Sequence, residues 1–127
     1  MSELALLTKD DVLKIHRAAI ERFGGLDGIR DEGLLESALS QPFAQYSAVE
    51  LYPTIAQKAA RYAYGICMNH PFADGNKRVA TAVMATFLRM NGCAFKPRHD
   101  ELLATMMGVA ASTVSFEELT RWVEAQL

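Results

Sequence analysis

Two apolar stripes, Ile55-Ala59-Tyr62-Ala63-Ile66 and Val79-Val83-Phe87, each repeat at three- and four-residue spacings and are separated by one polar loop. Spacing of this kind marks helices that each bury one face. The two cannot be one helix. The residue before a proline is pushed out of the helical region and Pro71 has no N–H to donate, so the first stripe must stop at Asn69-His70-Pro71. The second is predicted to begin near Asn76, to carry Ala80, Met84 and Leu88 beside its stripe, and to end at Asn91-Gly92. Small residues in the first stripe let a neighbour approach closely, which makes that helix the central one.

Helical periodicity also dominates the rest of the chain. Thr8 is a candidate N-cap for a first helix through Val12, Ile15, Ala19, Ile20 and Phe23, ended by Gly24-Gly25. Residues 26–33 read as a loop, and Leu34, Leu35, Ala38 and Leu39 as a short second helix closed by Pro42. Residues 43–53 carry Phe43, Tyr46, Val49, Leu51 and Tyr52 without helical spacing, which suits an extended flap or hairpin, and Pro53 fits the first turn of the central helix. After the short link Ala94-Phe95-Lys96, Asp100 opens a fifth helix through Leu102, Leu103, Met106, Val109 and Ala110, its methionines read as core filler. Ser115 and Glu118 form a capping-box pattern for a last helix whose Phe116, Leu119, Trp122 and Val123 face inward. The expectation is an all-α bundle of about six helices with a short flap before the central one, forming one domain over residues 1–127.

With half of 127 residues apolar and 22% charged, such a domain folds without a disulfide framework or a structural metal. Cys67 and Cys93 stand in apolar surroundings and read as small buried thiols in a reducing compartment. No stretch reaches the roughly twenty apolar residues of a membrane span, and Met1-Ser2-Glu3-Leu4 lacks the basic start of a secretory signal, so the expected location is cytoplasmic, with no membrane partner. A net charge of −2 gives no broad positive field for direct nucleic-acid binding. A metal-dependent nuclease would gather several carboxylates or histidines, whereas His70 and Asp74 stand nearly alone.

The loop His70-Pro71-Phe72-Ala73-Asp74-Gly75-Asn76-Lys77-Arg78 collects the chemistry. A helix N-terminus presents unpaired N–H groups and the positive end of the dipole, and Gly75 has no side chain to keep a phosphate away. Asn76 offers an amide, Arg78 a planar fork of donors and Lys77 a compact charge. Magnesium, which accompanies nucleotide phosphates, takes few protein ligands and prefers carboxylate, and Asp74 is the only acid of the loop. An imidazole ordinarily titrates near neutrality, which makes His70 the candidate general base. Asp-Gly-Asn is also a common turn, and Asp or Asn before a helix a common cap, so Asp74 and Asn76 carry a structural reading too. Pro71 is a helix stop and Phe72 an anchor into the core. His16 and His99 read as structural.

The same nine residues resemble the Fic motif, His-Pro-Phe-x-(Asp or Glu)-Gly-Asn-Gly-Arg, departing from it only at Lys77. Lysine at that place, with the upstream run Phe23-Gly24-Gly25 and Gly28-Ile29-Arg30-Asp31-Glu32-Gly33-Leu34-Leu35-Glu36-Ser37-Ala38-Leu39, resembles the Doc (death-on-curing) toxin branch of the Fic/Doc family. The resemblance implies a Fic-fold helical bundle, with His70 as base, Asp74 as magnesium ligand, and Gly75, Asn76 and Arg78 on the phosphates of ATP. In the Doc branch, lysine in place of the second glycine goes with transfer of the terminal phosphate to a Ser/Thr hydroxyl. That implies a protein kinase toxin whose family target is elongation factor Tu, with His70, Lys77 and Arg78 as catalytic residues and Gly75, Asn76, Lys77 and Arg78 holding the nucleotide. It also implies a small Phd-like antitoxin whose helix enters a groove of the toxin.

An ordinary Fic AMP-transferase is the alternative enzyme, and a non-catalytic interaction module the alternative of another class. The family's inhibitory helix follows the pattern (Ser or Thr)-x-x-x-Glu-(Gly or Asn). The nearest approach here, Thr113 to Glu117, is followed by Glu118, so control by a partner is expected in place of inhibition in cis.

Overall fold

Side-chain caps set where most of the helices begin. The Thr8 hydroxyl accepts from the Asp11 N–H while the Asp11 carboxylate accepts from the Thr8 N–H, opening α1 (Lys9–Phe23). The same reciprocal pair recurs at Thr54 and Gln57 for α3 (Ile55–Asn69) and at Ser115 and Glu118 for α6 (Phe116–Ala125). Asp31 caps α2 (Glu32–Ser40) by accepting from the Leu34 N–H at 3.0 Å. Between α2 and α3 a single turn of 3₁₀ helix (Gln41–Phe43) leads to the antiparallel hairpin β1 (Gln45–Tyr46) and β2 (Val49–Glu50). The remaining helices are α4 (Asn76–Met90) and α5 (His99–Ala110). The computed structural model describes residues 4–127, and the Met1-Ser2-Glu3 start read for a secretory signal lies outside the described residues. Among them no helix is long and apolar enough to cross a membrane.

The all-α bundle with a hairpin ahead of the central helix is what the periodicity predicts, with local differences. α2 starts at Glu32, inside the expected loop, because the Asp31 cap outweighs the glycine at Gly33. Pro53 precedes the Thr54 cap and is not in the first turn of α3. α5 begins at His99, which is helical and exposed, so Asp100 lies within its first turn. Leu103 and Met107 are exposed, so the core of α5 narrows to Met106 and Val109 with Leu102 packed beside them.

One apolar cluster joins the helices, and α3 runs through it. It packs against α2, α4, α5 and α6, and its buried residues fall on most of its circumference. Close approach is possible because Ala56, Ala59, Ala60, Ala63 and Gly65 are among the buried residues of α3. At Gly65 a side chain would stand 3.3 Å from the Ala38 Cβ and 3.4 Å from its Cα, so α2 fits against bare backbone there. Tyr62 lies wholly inside, edge-on to Phe43 and tilted against Phe87, and burial pushes its phenol up to about 12. Lys58 is only 3% exposed; its ammonium donates to the Glu50 carboxylate (2.9 Å) and to the Tyr52 carbonyl, which fastens the hairpin to α3. Cys67 and Cys93 are free thiols, the first buried and the second half-buried.

The Glu118 carboxyl is held below the usual carboxylate range by the Ser115 N–H and hydroxyl. A group depressed in the folded state contributes stability above its unfolded pKa and loses that contribution as the pH falls through the folded value. Glu118→Ala should therefore lower the melting temperature at about pH 7 and make a smaller difference at about pH 3. Thermal melts of the two proteins across that range check this.

Candidate active site

The end of α3 is shaped by a left-handed residue. His70 has φ 47° and ψ 56°, and its N–H donates to the Ile66 carbonyl at 3.2 Å. A non-glycine residue in this region costs about 1–2 kcal/mol, so its surroundings must hold it there. They do so through Arg30, whose Nε donates to the His70 carbonyl (2.6 Å) and whose Nη2 donates to the Asn69 carbonyl (2.8 Å). One guanidinium thus satisfies two of the carbonyls that a helix end leaves without partners. The Pro71 carbonyl accepts from the N–H groups of Arg30 and Asp31, and the Gly28 carbonyl accepts from Ala73, so Ile29 and Phe72 pair as a short antiparallel bridge. The α1–α2 loop is zipped to the motif loop.

Phe72 is the anchor expected, 1% exposed and stacked on His16 with ring centroids 4.0 Å apart. His16 lies on α1 and its Nε2 donates to the Asp74 carbonyl at 2.9 Å; because a carbonyl only accepts, Nε2 carries the proton. Its structural reading holds, and its task is to fix the loop. Asn76 closes the turn from the other side: its Oδ1 accepts from the Phe72 N–H (3.0 Å) and its Nδ2 donates to the Phe72 carbonyl (3.1 Å). Its Oδ1 and one of its two Nδ2 hydrogens are thus engaged within the loop, the structural part also read for it, and the second Nδ2 hydrogen has no partner among the described residues.

The reason assigned to Gly75 changes. Its φ is +79°, and a side chain there would point at Ile20 and His16 of α1, 3.5 and 4.0 Å away. Glycine is required by the left-handed turn onto α4, not by room for an anion. At Gly25, with φ +115°, a side chain would come within 2.6 Å of the Asp74 carboxylate, so that backbone must stay bare for Asp74 to sit where it does. The Asp74 carboxylate accepts from the N–H groups of Gly75 (2.9 Å) and Leu26 (3.3 Å), one at each oxygen, and is exposed.

α4, like α3, begins without an acid, but unlike α3 it has no side-chain cap. α1, α2, α5 and α6 each carry acids in the first turn, which oppose the positive end of the helix dipole. α4 has none; it has Lys77 and Arg78 there instead, and Gly75 gives it no side-chain cap. Both cations are exposed, and among the described residues neither has a carboxylate partner. The Arg78 guanidinium rests 4.1 Å from the centroid of Phe23, a residue predicted for the core that is instead exposed. Burial pushes the Cys67 thiol up to about 11, and the charge of Lys77 opposes this. The His70 side chain is exposed and makes no hydrogen bond among the described residues. The structure thus gathers backbone donors without a cap, two free cations, one exposed carboxylate and one exposed imidazole on a single turn. No cluster of three or more His, Cys, Asp or Glu side chains is placed to hold a metal ion among the described residues.

Sequence reasoning missed Arg30 as the clamp on the end of α3 and left Phe23 in the core. Neither has a signal in periodicity, because each is defined by a partner some forty residues or more away. Since Asn76 closes the loop, Asn76→Ala should cost about 1–3 kcal/mol of stability with no nucleotide present. Urea unfolding of the two proteins measures it, and an unchanged midpoint would contradict the closing role.

Comparison of the sequence with known proteins matches the segment that builds this site. The sequence profile described as the Fic/DOC family matches residues 6–88, a span that includes the whole loop. The chain is 42% identical over 86 residues to "Toxin Doc" of Mycolicibacterium smegmatis, covering 68% of this chain and 64% of that protein. It is 31% identical over 86 residues to "Protein kinase doc" of Escherichia phage P1, covering 68% of each. The chain therefore spans about two thirds of the length of these relatives. A loop that pins Phe72 inward and turns His70, Asp74, Lys77 and Arg78 outward, carried on a sequence this similar, belongs to the Doc branch of the Fic/DOC family.

Proposed function

We propose that this chain is a Doc-type toxin that transfers the γ-phosphate of ATP to a Ser/Thr hydroxyl of a protein, with elongation factor Tu as the target and arrest of translation as the outcome. The observation that carries this reading is the start of α4: an uncapped helix N-terminus bearing Lys77 and Arg78 with no acid to neutralise them. Such a terminus is stabilised by an anion, and a polyphosphate answers both the dipole and the two side chains. The names of the two relatives, a toxin and a protein kinase, support it. The exposure of the loop suits a substrate as large as a protein.

Each residue then has a task. His70 takes the proton from the attacking hydroxyl as its oxygen bonds to the γ-phosphorus, and the bond from that phosphorus to the β–γ bridging oxygen breaks to leave ADP. Arg78 offers in-plane donors to phosphate oxygens, and Lys77 adds charge where a second glycine would leave only backbone. Gly75 sets the turn that delivers the first N–H groups of α4, and Asn76 keeps that turn closed. The donor set fits magnesium, since each oxygen of the exposed Asp74 carboxylate accepts one N–H and retains a lone pair, and this ion takes few protein ligands. When bound with the nucleotide, the ion neutralises charge on the phosphates. A reaction on an elongation factor places the protein in the cytoplasm, and a Phd-like antitoxin whose helix fills a groove is the partner that restrains it.

Mass spectrometry of elongation factor Tu incubated with the protein, magnesium and ATP tests the reading; an added phosphate is expected, and an added adenylate or no modification would overturn it. His70→Ala should lower transfer by at least about 10²-fold while ATP binding persists. Toxicity that survives this change would favour an interaction module. Lys77→Gly should weaken phosphate transfer and open nucleotidyl transfer, and unchanged phosphorylation would refute the part given to Lys77.

A further inference from the structure

Phe23 ends the apolar stripe of α1 yet is 54% exposed, and the chain leaves it at once through Gly24 and Gly25, with φ of +81° and +115°. What covers its ring is charge. The guanidinium carbon of Arg78 lies 4.1 Å from the ring centroid and that of Arg22 lies 5.3 Å from it, both within the roughly 6 Å over which a cation is drawn to an aromatic face. Neither arginine has a carboxylate partner among the described residues.

The choice of partner matters for an arginine that must take up phosphate. A carboxylate engages the N–H fork of the guanidinium, the same donors that recognise phosphate oxygens, whereas an aromatic ring is satisfied by the face and leaves the in-plane N–H groups open. Resting on the ring also narrows the rotamers of a long side chain before the anion arrives, which reduces the ordering cost of binding. Phe23 sits on α1 and Arg78 in the first turn of α4, so the contact joins the helix that holds the Asp74 carbonyl through His16 to the helix that follows the Asp74 turn.

We propose that Phe23 is a positioning residue for nucleotide binding: its ring holds the Arg78 guanidinium at the mouth of the α4 N-terminus with the donors free for phosphate oxygens. This rests on the phosphate-binding part given to Arg78 above.

Equilibrium titration of the whole chain with ATP and magnesium, for the wild type, Phe23→Ala, Phe23→Leu, Phe23→Trp, Arg78→Ala and the Phe23→Ala/Arg78→Ala pair, tests it. The two variants without an aromatic face should bind ATP about two- to fivefold more weakly. Phe23→Trp should bind as the wild type does, and in turnover the loss should appear in KM with kcat retained. The double variant should bind no more weakly than Arg78→Ala alone, because Phe23 acts through Arg78. If Phe23→Leu binds as the wild type does, or if Phe23→Ala weakens binding equally with and without Arg78, the proposal is overturned and the phosphate role of Arg78 stands. If Arg78→Ala itself leaves ATP binding unchanged, it is the phosphate reading of the site that fails, and the positioning role falls with it.

Discussion

The burial of Phe72 is the interaction on which the candidate site depends. The ring lies in the core against His16, and its backbone N–H and carbonyl are both taken by the Asn76 amide, so one residue is fixed by its side chain and by its main chain at once. Everything charged in the loop is placed by exclusion from that pocket. His70 precedes the anchor and Asp74, Lys77 and Arg78 follow it, and all four are exposed. A fully buried phenylalanine contributes about 1.5–3 kcal/mol from apolar surface alone, enough to hold a His70 backbone that is unfavourable by a comparable amount.

Around this anchor the loop is held almost entirely by groups that belong to α1 and to the segment between α1 and α2. His16 grips the Asp74 carbonyl, Leu26 the Asp74 carboxylate, Gly28 the Ala73 N–H, and Arg30 the carbonyls of Asn69 and His70. Apart from the Leu26 bond to the Asp74 carboxylate, these bonds fix backbone and leave the outward side chains unencumbered. The division of labour is economical: the N-terminal quarter of the chain supplies geometry, and the loop supplies charge. The family profile, which matches residues 6–88, takes in both parts.

The helices and the loop were legible in the sequence because their signals are local. Apolar spacing, the Thr8, Thr54 and Ser115 caps, and the proline after His70 each act within a few residues of themselves. The sequence left a flap and a hairpin as equal alternatives for residues 43–53, since the turn puts Ser47 and Ala48 at φ of 51° and 64° without the Asn-Gly or Asp-Gly pair that announces such turns. The charged and titratable residues that the loop turns outward at 70, 74, 77 and 78 were plain in the sequence, but the bonds of Asn76 to Phe72 and the reason for Gly75 were not. An amide bonded to Phe72 and an amide bonded to a ligand have the same letter in the sequence, and only the fold distinguishes them. The Arg30 clamp and the exposure of Phe23 arise from contacts between distant segments, which no periodicity records.

The lysine that ties the hairpin to α3 has a consequence for distance. Lys58 fastens the hairpin near the start of a helix whose far end carries His70, twelve residues on, and at 1.5 Å per residue that is about 18 Å of rigid, buried rod. The helix works as a ruler. The hairpin and the His70 imidazole are held apart by that fixed length, and lengthening or shortening α3 by one turn would change their separation by about 5 Å.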